Sequence, residues 1–370
     1  MGIDFLYSHF VNLGWEKILF FFLPFDIKKY YNVFVKGRKI MKKVIPVFFS
    51  IDDNYAPYAK IAIESLMTKA SKNYDYHIYI LNVAMKEATK MDINSLVVGR
   101  ENFSINFVDM KQKLDSLNTT FSTRDYYTVT TYYRLFIADM FPQYNKVLYL
   151  DSDICVMDDI SKLYNTPLFS NLIGAVNDET VPLTGPFYEY VENYLGINRY
   201  KYINAGVLLI NMKAMREFKF EEKFLNLHAR IKFPVAQDQD YINVLCKNKI
   251  TYLNKRWNKM PVPGKYMPVE QVGLVHYNLS YKPWKYDGIM YEEYFWAYAK
   301  KLNLKRKIEV IKSLFDEKKK QKDMEGGAKL LALCTELARC NQTVEELAKG
   351  FDSFDTILAT NNVCVESTEN

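Results

Sequence analysis

Two aspartates stand one residue apart where an apolar run ends. In "VLYLDSDICVMDDI", residues 147–160, Asp151 and Asp153 follow Val147–Leu150 directly. A strand alternates its side chains, so residues two apart at its frayed end point the same way and can place both carboxylates on one hard cation. With 22 Asp in the chain, about one such spacing arises by chance, so the motif gains weight only from its context. That context is an apolar strand running into a polar loop, the usual place for a ligand in an open sheet. Asp238 and Asp240 have the same spacing on a helical pattern, where positions two apart diverge, so those two need not share a metal.

A second cluster, "SIDDNYAPY" (50–58), leaves a strand for a helix with polar groups able to accept hydrogen bonds from a uracil or ribose edge. Asp52, Asp53 and Asn54 would equally serve as a helix N-cap. His276, in "LVHYNLSYKPW", follows another apolar run, and by itself it reads as a packed or solvated side chain.

The elements that must carry these residues alternate β-rich runs with helix-period stretches from residue 44, the signature of a mostly parallel sheet covered on both faces. Strands are expected at 44–51, 76–81, 102–109, 146–150 and 172–176, and helices at 58–70, 130–141 and 238–247. Asp52, Asp53, Asp151 and Asp153 all fall at strand ends.

The 370 residues, 49% hydrophobic, are enough for one large domain with appendages or for two domains. The 49 Lys+Arg against 43 Asp+Glu exclude a dedicated nucleic-acid binder unless the positive charge is gathered in one place. Five scattered Cys (155, 246, 334, 340, 364) without C-x-x-C spacing point to a reducing compartment and no zinc site. The apolar stretch 13–25 is interrupted by Glu16 and Lys17 and stopped by Pro24. It is too short to span a bilayer and reads as an apolar N-terminal helix or an upstream extension, with Met41 a natural domain start.

Charge is gathered in residues 300–322, which carry ten Lys/Arg against three acids, with Leu304, Ile308, Ile311 and Phe315 at helical spacing. This predicts a basic amphipathic helix, suited either to an anionic membrane surface or to a solvated connector. Gly326–Gly327 is expected to break the chain before a small helical hairpin, and Asn341 begins a glycosylation sequon that a cytosolic context would leave silent.

Six ordered motifs then resemble family 8 glycosyltransferases, the group containing bacterial lipooligosaccharide galactosyltransferases and glycogenin. They are "VFFSIDDNYAPY", "TTYYRLFIADMF", "KVLYLDSDICVMDDISKLY", "YINAGVLLINMKAMRE", "AQDQDYIN" and "HYNLSYKPW", within roughly residues 44–290. The resemblance implies a GT-A fold: a Rossmann-like, mostly parallel α/β sheet flanked by helices, here with a C-terminal helical extension. Together with the composition shifts along the chain, this gives an expected N-terminal extension (1–40), a catalytic domain (41–295), a basic helical segment (296–325) and a small helical tail (326–370), the resemblance itself saying nothing about residues 1–40 or the tail. The implied activity is transfer of a hexose, glucose or galactose, from a UDP-sugar to a cell-surface or lipid-linked glycan with retention. Bacterial lipopolysaccharide or capsule synthesis would be its setting, and the cofactor would be Mn²⁺, with Mg²⁺ as a substitute.

By the same matching, Asp151, Asp153 and His276 resemble the metal ligands. Ser50, Asp52, Asn54 and Tyr55 resemble the nucleoside pocket, Arg134 and Ser152 further donor contacts, and Asp178, Asn204 and Ala205 the donor-hexose contacts. Lys282 resembles the lysine that reaches the diphosphate, and Gln239 with Asp238 the catalytic pair. Leu279 stands where relatives often have glycine, so the loop around the diphosphate is expected to take another course. Residues 179–200, rich in Tyr and Pro, are expected to shape the acceptor pocket. The expected location is cytoplasmic, with peripheral contact at the inner face of the cell membrane, and no nucleic-acid partner is expected. The alternative is a catalytically degenerate, membrane-docked nucleotide-sugar binding module. A nucleotidyltransferase is disfavoured, because "SIDDNYAPY" lacks both glycine and a basic residue in the turn after the first strand.

Overall fold

The structure is a computed structural model and describes residues 42–117, 119–121, 129–340 and 343–344. The apolar stretch 13–25, Met41, Asn341 of the sequon, Cys364 and the second part of the expected tail hairpin lie outside the described residues. Nine strands are described: β1 (Lys43–Ser50), β2 (Tyr74–Asn82), β3 (Phe103–Asp109), β4 (Lys146–Leu150), β5 (Ile154–Val156), β6 (Ile173–Asn177), β7 (Ile203–Asn211), β8 (Ile250–Tyr252) and β9 (Leu274–His276). Seven form one sheet in the order β3-β2-β1-β4-β7-β6-β8, and β5 pairs with β9 in a second. β1–β4, β2–β3 and β6–β8 are parallel, while β7 runs antiparallel to both neighbours.

Alternation sorts the core. Val47, Phe49, Leu148, Leu150, Val207 and Leu209 face one apolar cluster, and Phe48, Val147, Tyr149, Leu208 and Ile210 face another on the opposite side. Fully burying a side chain of this kind contributes about 1.5–3 kcal/mol, which holds even a five-residue strand such as β4 in place. The sheet is thus covered on both faces, as its near-continuous apolar strands require.

Helix Ala56–Lys69 buries almost its whole length and begins with proline in its first turn. The expected helix over 130–141 is instead a 3-10 run, Val129–Phe136, followed by one α-turn, Ile137–Met140.

The basic segment departs from its expected form. It is not one helix: Lys305–Ser313 and Glu317–Ala338 are separated by a turn in which Asp316 accepts from Lys319 N. Its apolar stripe is largely consumed by the protein itself. Ile308 is fully buried, Leu304 packs on the same cluster, and Phe315 lies edge-on to Tyr286. Gly326–Gly327 does not break the chain, because the helix runs straight through both glycines. Each costs about 1 kcal/mol relative to Ala in a helix. Against that, Cys334 and Leu337 are buried and Leu330 and Leu333 pack on the main core, laying this helix across residues 185–194.

Candidate active site

Backbone pairing brings the metal-ligand candidates together. β4 ends at Leu150 and β5 begins at Ile154, so Asp151, Ser152 and Asp153 form the step between the two sheets. Asp151 N donates to Gly206 O of β7 (2.7 Å), Ile154 sits opposite His276 in the β5–β9 pair, and Tyr277 N donates to Asp153 O (2.9 Å). Ile154 and His276, far apart in the chain, therefore share one register, which brings the imidazole beside the two aspartates.

Each carboxylate is tied by one oxygen and presents the other. Asp151 Oδ1 accepts from Arg134 Nη2 (2.9 Å) and Tyr149 Oη (3.0 Å). Asp153 Oδ2 accepts from Lys282 Nζ, which also donates to Tyr277 O (2.8 Å). The remaining oxygens converge on the imidazole: His276 Nε2 lies 3.2 Å from Asp153 Oδ1 and 3.8 Å from Asp151 Oδ2. Asp153 Oδ1 is buried without a hydrogen-bond partner, since its approach to the ring is not aligned for one. One ligand-capable atom from each of the three residues falls within 4.8 Å of the others. A buried, unpartnered carboxylate oxygen beside a second carboxylate and an imidazole nitrogen fits a divalent cation with a mixed O/N shell. Despite its burial, the Asp153 carboxyl is held well below the usual carboxylate range, chiefly by the Lys282 ammonium.

Above this floor, β6, β7 and helix Asp238–Leu245 supply a second polar set. Asp178 Oδ2 accepts from Asn204 Nδ2 (3.1 Å) and Gln239 Nε2 (3.4 Å), while Gln239 Oε1 accepts from Ala205 N (3.0 Å). Both ends of the Gln239 amide are therefore held. Gln237, the residue before the helix, has φ +48°, unusual for a side-chain-bearing residue, and this bend turns Asp238 and Gln239 into the pocket. Asp238 pairs with Arg134 Nε at 3.1 Å, while Asp240 points away and is held by Tyr190, Tyr202 and Ala236 N. The two acids diverge, as helical geometry demands.

Every residue matched to a site role by the resemblance, except Asn54, lines one pocket. Asn54 is exposed in the turn before helix Ala56–Lys69 and does not line it. The N-cap reading of Asp52, Asp53 and Asn54 does not hold, because the residue before the helix is Tyr55 and no side chain caps it; Asp52 lines the pocket and accepts from Tyr55 N (3.0 Å) in the preceding turn. Leu279 adopts a left-handed backbone conformation, φ +58°, at a cost of about 1–3 kcal/mol for a non-glycine residue. Thr180 and Phe187 of the expected acceptor region line the pocket, and so does Leu330 from the C-terminal helix.

The profile of Glycosyl transferase family 8 matches residues 46–288. The chain belongs to glycosyltransferase family 8. Its catalytic core has the GT-A fold, since it superposes on the galactosyltransferase LgtC, solved with donor and acceptor sugar analogues, with a TM-score of 0.57 and 28% identity over 70% of this chain and 96% of that one. It also superposes on the bifunctional glycosyltransferase WbbM with a TM-score of 0.64 and 25% identity, over 75% of this chain. A Haemophilus influenzae protein named as a glycosyltransferase is 27% identical over 216 residues, 58% of this chain. General stress protein A of Bacillus subtilis is 24% identical over 65% of this chain and 88% of its own length. The chain spans 63% of the Haemophilus influenzae relative and 53% of WbbM.

In this family 8 glycosyltransferase, sequence reasoning missed Gly206, Asn258 and Leu330. Gly206 sits inside "YINAGVLL", yet nothing in that apolar run marks it as touching His276. Leu330 lies beyond the family match, on a helix whose path the sequence does not specify.

Burial, aided by the negative charge of Asp151, pushes Asp238 up to about 7 in spite of Arg134. A raised carboxyl binds a proton that the unfolded chain has released, so its contribution to stability falls as pH rises from about 4 to about 7. Thermal melts of wild type and Asp238→Asn across that window should show the variant free of this loss. Parallel melting curves would contradict the assignment.

Proposed function

We propose that this enzyme transfers a hexose from a UDP-sugar to a glycan or lipid-linked acceptor with retention, and that Asp151, Asp153 and His276 hold the divalent cation the reaction needs. The observation carrying this reading is the convergence of one open ligand atom from each of these residues at the floor of the pocket that Gln239 and Asp238 also line. When bound, the cation neutralises charge on the departing diphosphate, and the mixed carboxylate–imidazole set suits Mn²⁺ better than Mg²⁺.

The chain's own residues do the rest. Lys282 contributes a second positive charge beside Asp153. Arg134, buried between Asp151 and Asp238, fixes both carboxylates and bonds Ala205 O (2.5 Å). Asp178, Asn204 and Gln239 offer hydrogen bonds for sugar hydroxyls, the kind of contact that distinguishes one hexose from another. An uncharged amide held at both ends is a poor nucleophile, which favours attack on the face the diphosphate leaves, a phosphate oxygen taking the acceptor's proton. Asp238 is the carboxylate available to a covalent step. Turnover of a panel of UDP-sugars, followed as UDP release, tests the reading. One UDP-hexose should be consumed with an α-configured product, whereas a β-configured product would overturn retention.

We also propose peripheral contact with anionic membranes, through a different face from the stripe read in the sequence. Val310 and Leu314 are 54% and 61% exposed and lie near the exposed Lys307, Lys318 and Lys319. Basic side chains near an anionic surface each contribute about 1 kcal/mol. Val310→Asp/Leu314→Asp should reduce sedimentation with phosphatidylserine vesicles at least tenfold; unchanged sedimentation would rule the face out.

A further inference from the structure

We propose that Asn258 is a positioning residue that fixes the tautomer of His276, so that the ring's Nε2 lone pair faces the space between Asp151 and Asp153. This rests on the reading of His276 as a cation ligand.

The orientation follows from a chain of hydrogen bonds anchored at the backbone. Gly206 N can only donate, and it donates to Asn204 Oδ1 (3.0 Å), which fixes that side chain's oxygen. Asn204 Nδ2 accordingly faces the Asp178 carboxylate (3.1 Å), which can only accept while ionised. The group that Asn258 turns toward Asn204 Oδ1 at 2.9 Å must then be its NH₂. Its carbonyl oxygen is left facing His276 Nδ1, also at 2.9 Å, so Nδ1 carries the proton. In the neutral ring Nε2 then has no proton and presents its lone pair 3.2 Å from Asp153 Oδ1. A lone pair directed at two carboxylates is repulsive unless a positive charge lies between them, which is the arrangement a cation ligand needs.

Asn258 is placed for this and little else. It is fully buried at the end of the 3-10 turn Lys255–Asn258, where a buried polar side chain requires specific partners. The next residue ties the turn to β9: Lys259 N donates to Leu274 O and His276 N donates to Lys259 O, both at 2.9 Å. The relay runs from Asp178 in the second polar set to the metal-ligand candidate, through two amides whose orientation cannot be reversed without breaking a bond at each end.

Nuclear magnetic resonance of the full chain labelled with ¹⁵N-histidine tests this, with His276 assigned by its loss in His276→Gln. At a pH where the ring is neutral and no metal is added, wild type should show the Nδ1–H tautomer. In Asn258→Ala that signal should shift toward Nε2–H, and Mn²⁺ affinity, read as free Mn²⁺ by electron paramagnetic resonance, should fall about 10–100-fold. An Nε2–H tautomer in wild type overturns the inference. So does Mn²⁺ affinity within twofold of wild type in a folded Asn258→Ala. Should that variant not fold, the wild-type tautomer alone decides. A wild-type chain that binds no Mn²⁺ would refute the proposed cation site instead, and the tautomer measurement would still decide the role of Asn258.

Discussion

Asp153→Asn should lower sugar transfer by at least about 10³-fold, the several kcal/mol that a bound metal supplies as charge stabilisation in a transition state. The substitution removes the buried, unpartnered oxygen that faces His276 and the charge that would bind a cation. It has a second effect that a metal ligand alone would not produce. Lys282 is 3% exposed and pairs with the other oxygen of Asp153. Neutralising that carboxylate breaks a buried ion pair, at a cost of about 3–5 kcal/mol. The variant should therefore melt at lower temperature as well as fail to turn over. Asp153→Asn/Lys282→Met should recover much of the stability and none of the activity. Recovery of both would show that Asp153 serves only as a counter-charge.

Gly206→Ala should disable the site through one methyl group. A Cβ at this position would lie 2.2 Å from His276 Cε1 and 2.8 Å from Asp151 Oδ2. Neither neighbour can yield easily, because the ring is bonded to Asn258 on one side and Asp151 is held by Arg134 and Tyr149 on the other. Overpacking of this kind costs about 1–3 kcal/mol in stability. Displacing reacting groups by about 1 Å costs about 10²-fold in rate, so turnover and cation affinity should fall further than stability does. Near-wild-type turnover in Gly206→Ala would mean that His276 and Asp151 do not act where the structure puts them.

Much of this architecture is legible in the sequence, and the missing parts share a physical cause. The Asp151–Asp153 pair announces itself because its spacing matches the strand period and it follows four apolar residues. β4 falls on its expected residues for the same reason. β5, β8 and β9 have three residues each, too few to show any period, and the pairing of β5 with β9 is what carries His276 to the aspartates. Asn258 lies 18 residues from His276 with no recognisable motif, and its role arises only from a relay of amides closed in space. In the basic segment, periodicity correctly marks Ile308 as facing something apolar, but it does not distinguish a membrane from the protein's own core, and the core has taken it. Gly326–Gly327 misleads because helix propensity is a local term of about 1 kcal/mol per glycine, which tertiary packing at Cys334 and Leu337 outweighs.

The central claim is that Asp151, Asp153 and His276 hold a cation that sugar transfer requires. The most direct test is UDP release from UDP-glucose and UDP-galactose by the full chain, first after exhaustive EDTA treatment and then with Mn²⁺ restored. The account predicts that release from one of these donors is abolished by EDTA and returns with Mn²⁺ in wild type but not in Asp153→Asn. Undiminished release by the metal-stripped enzyme would contradict it.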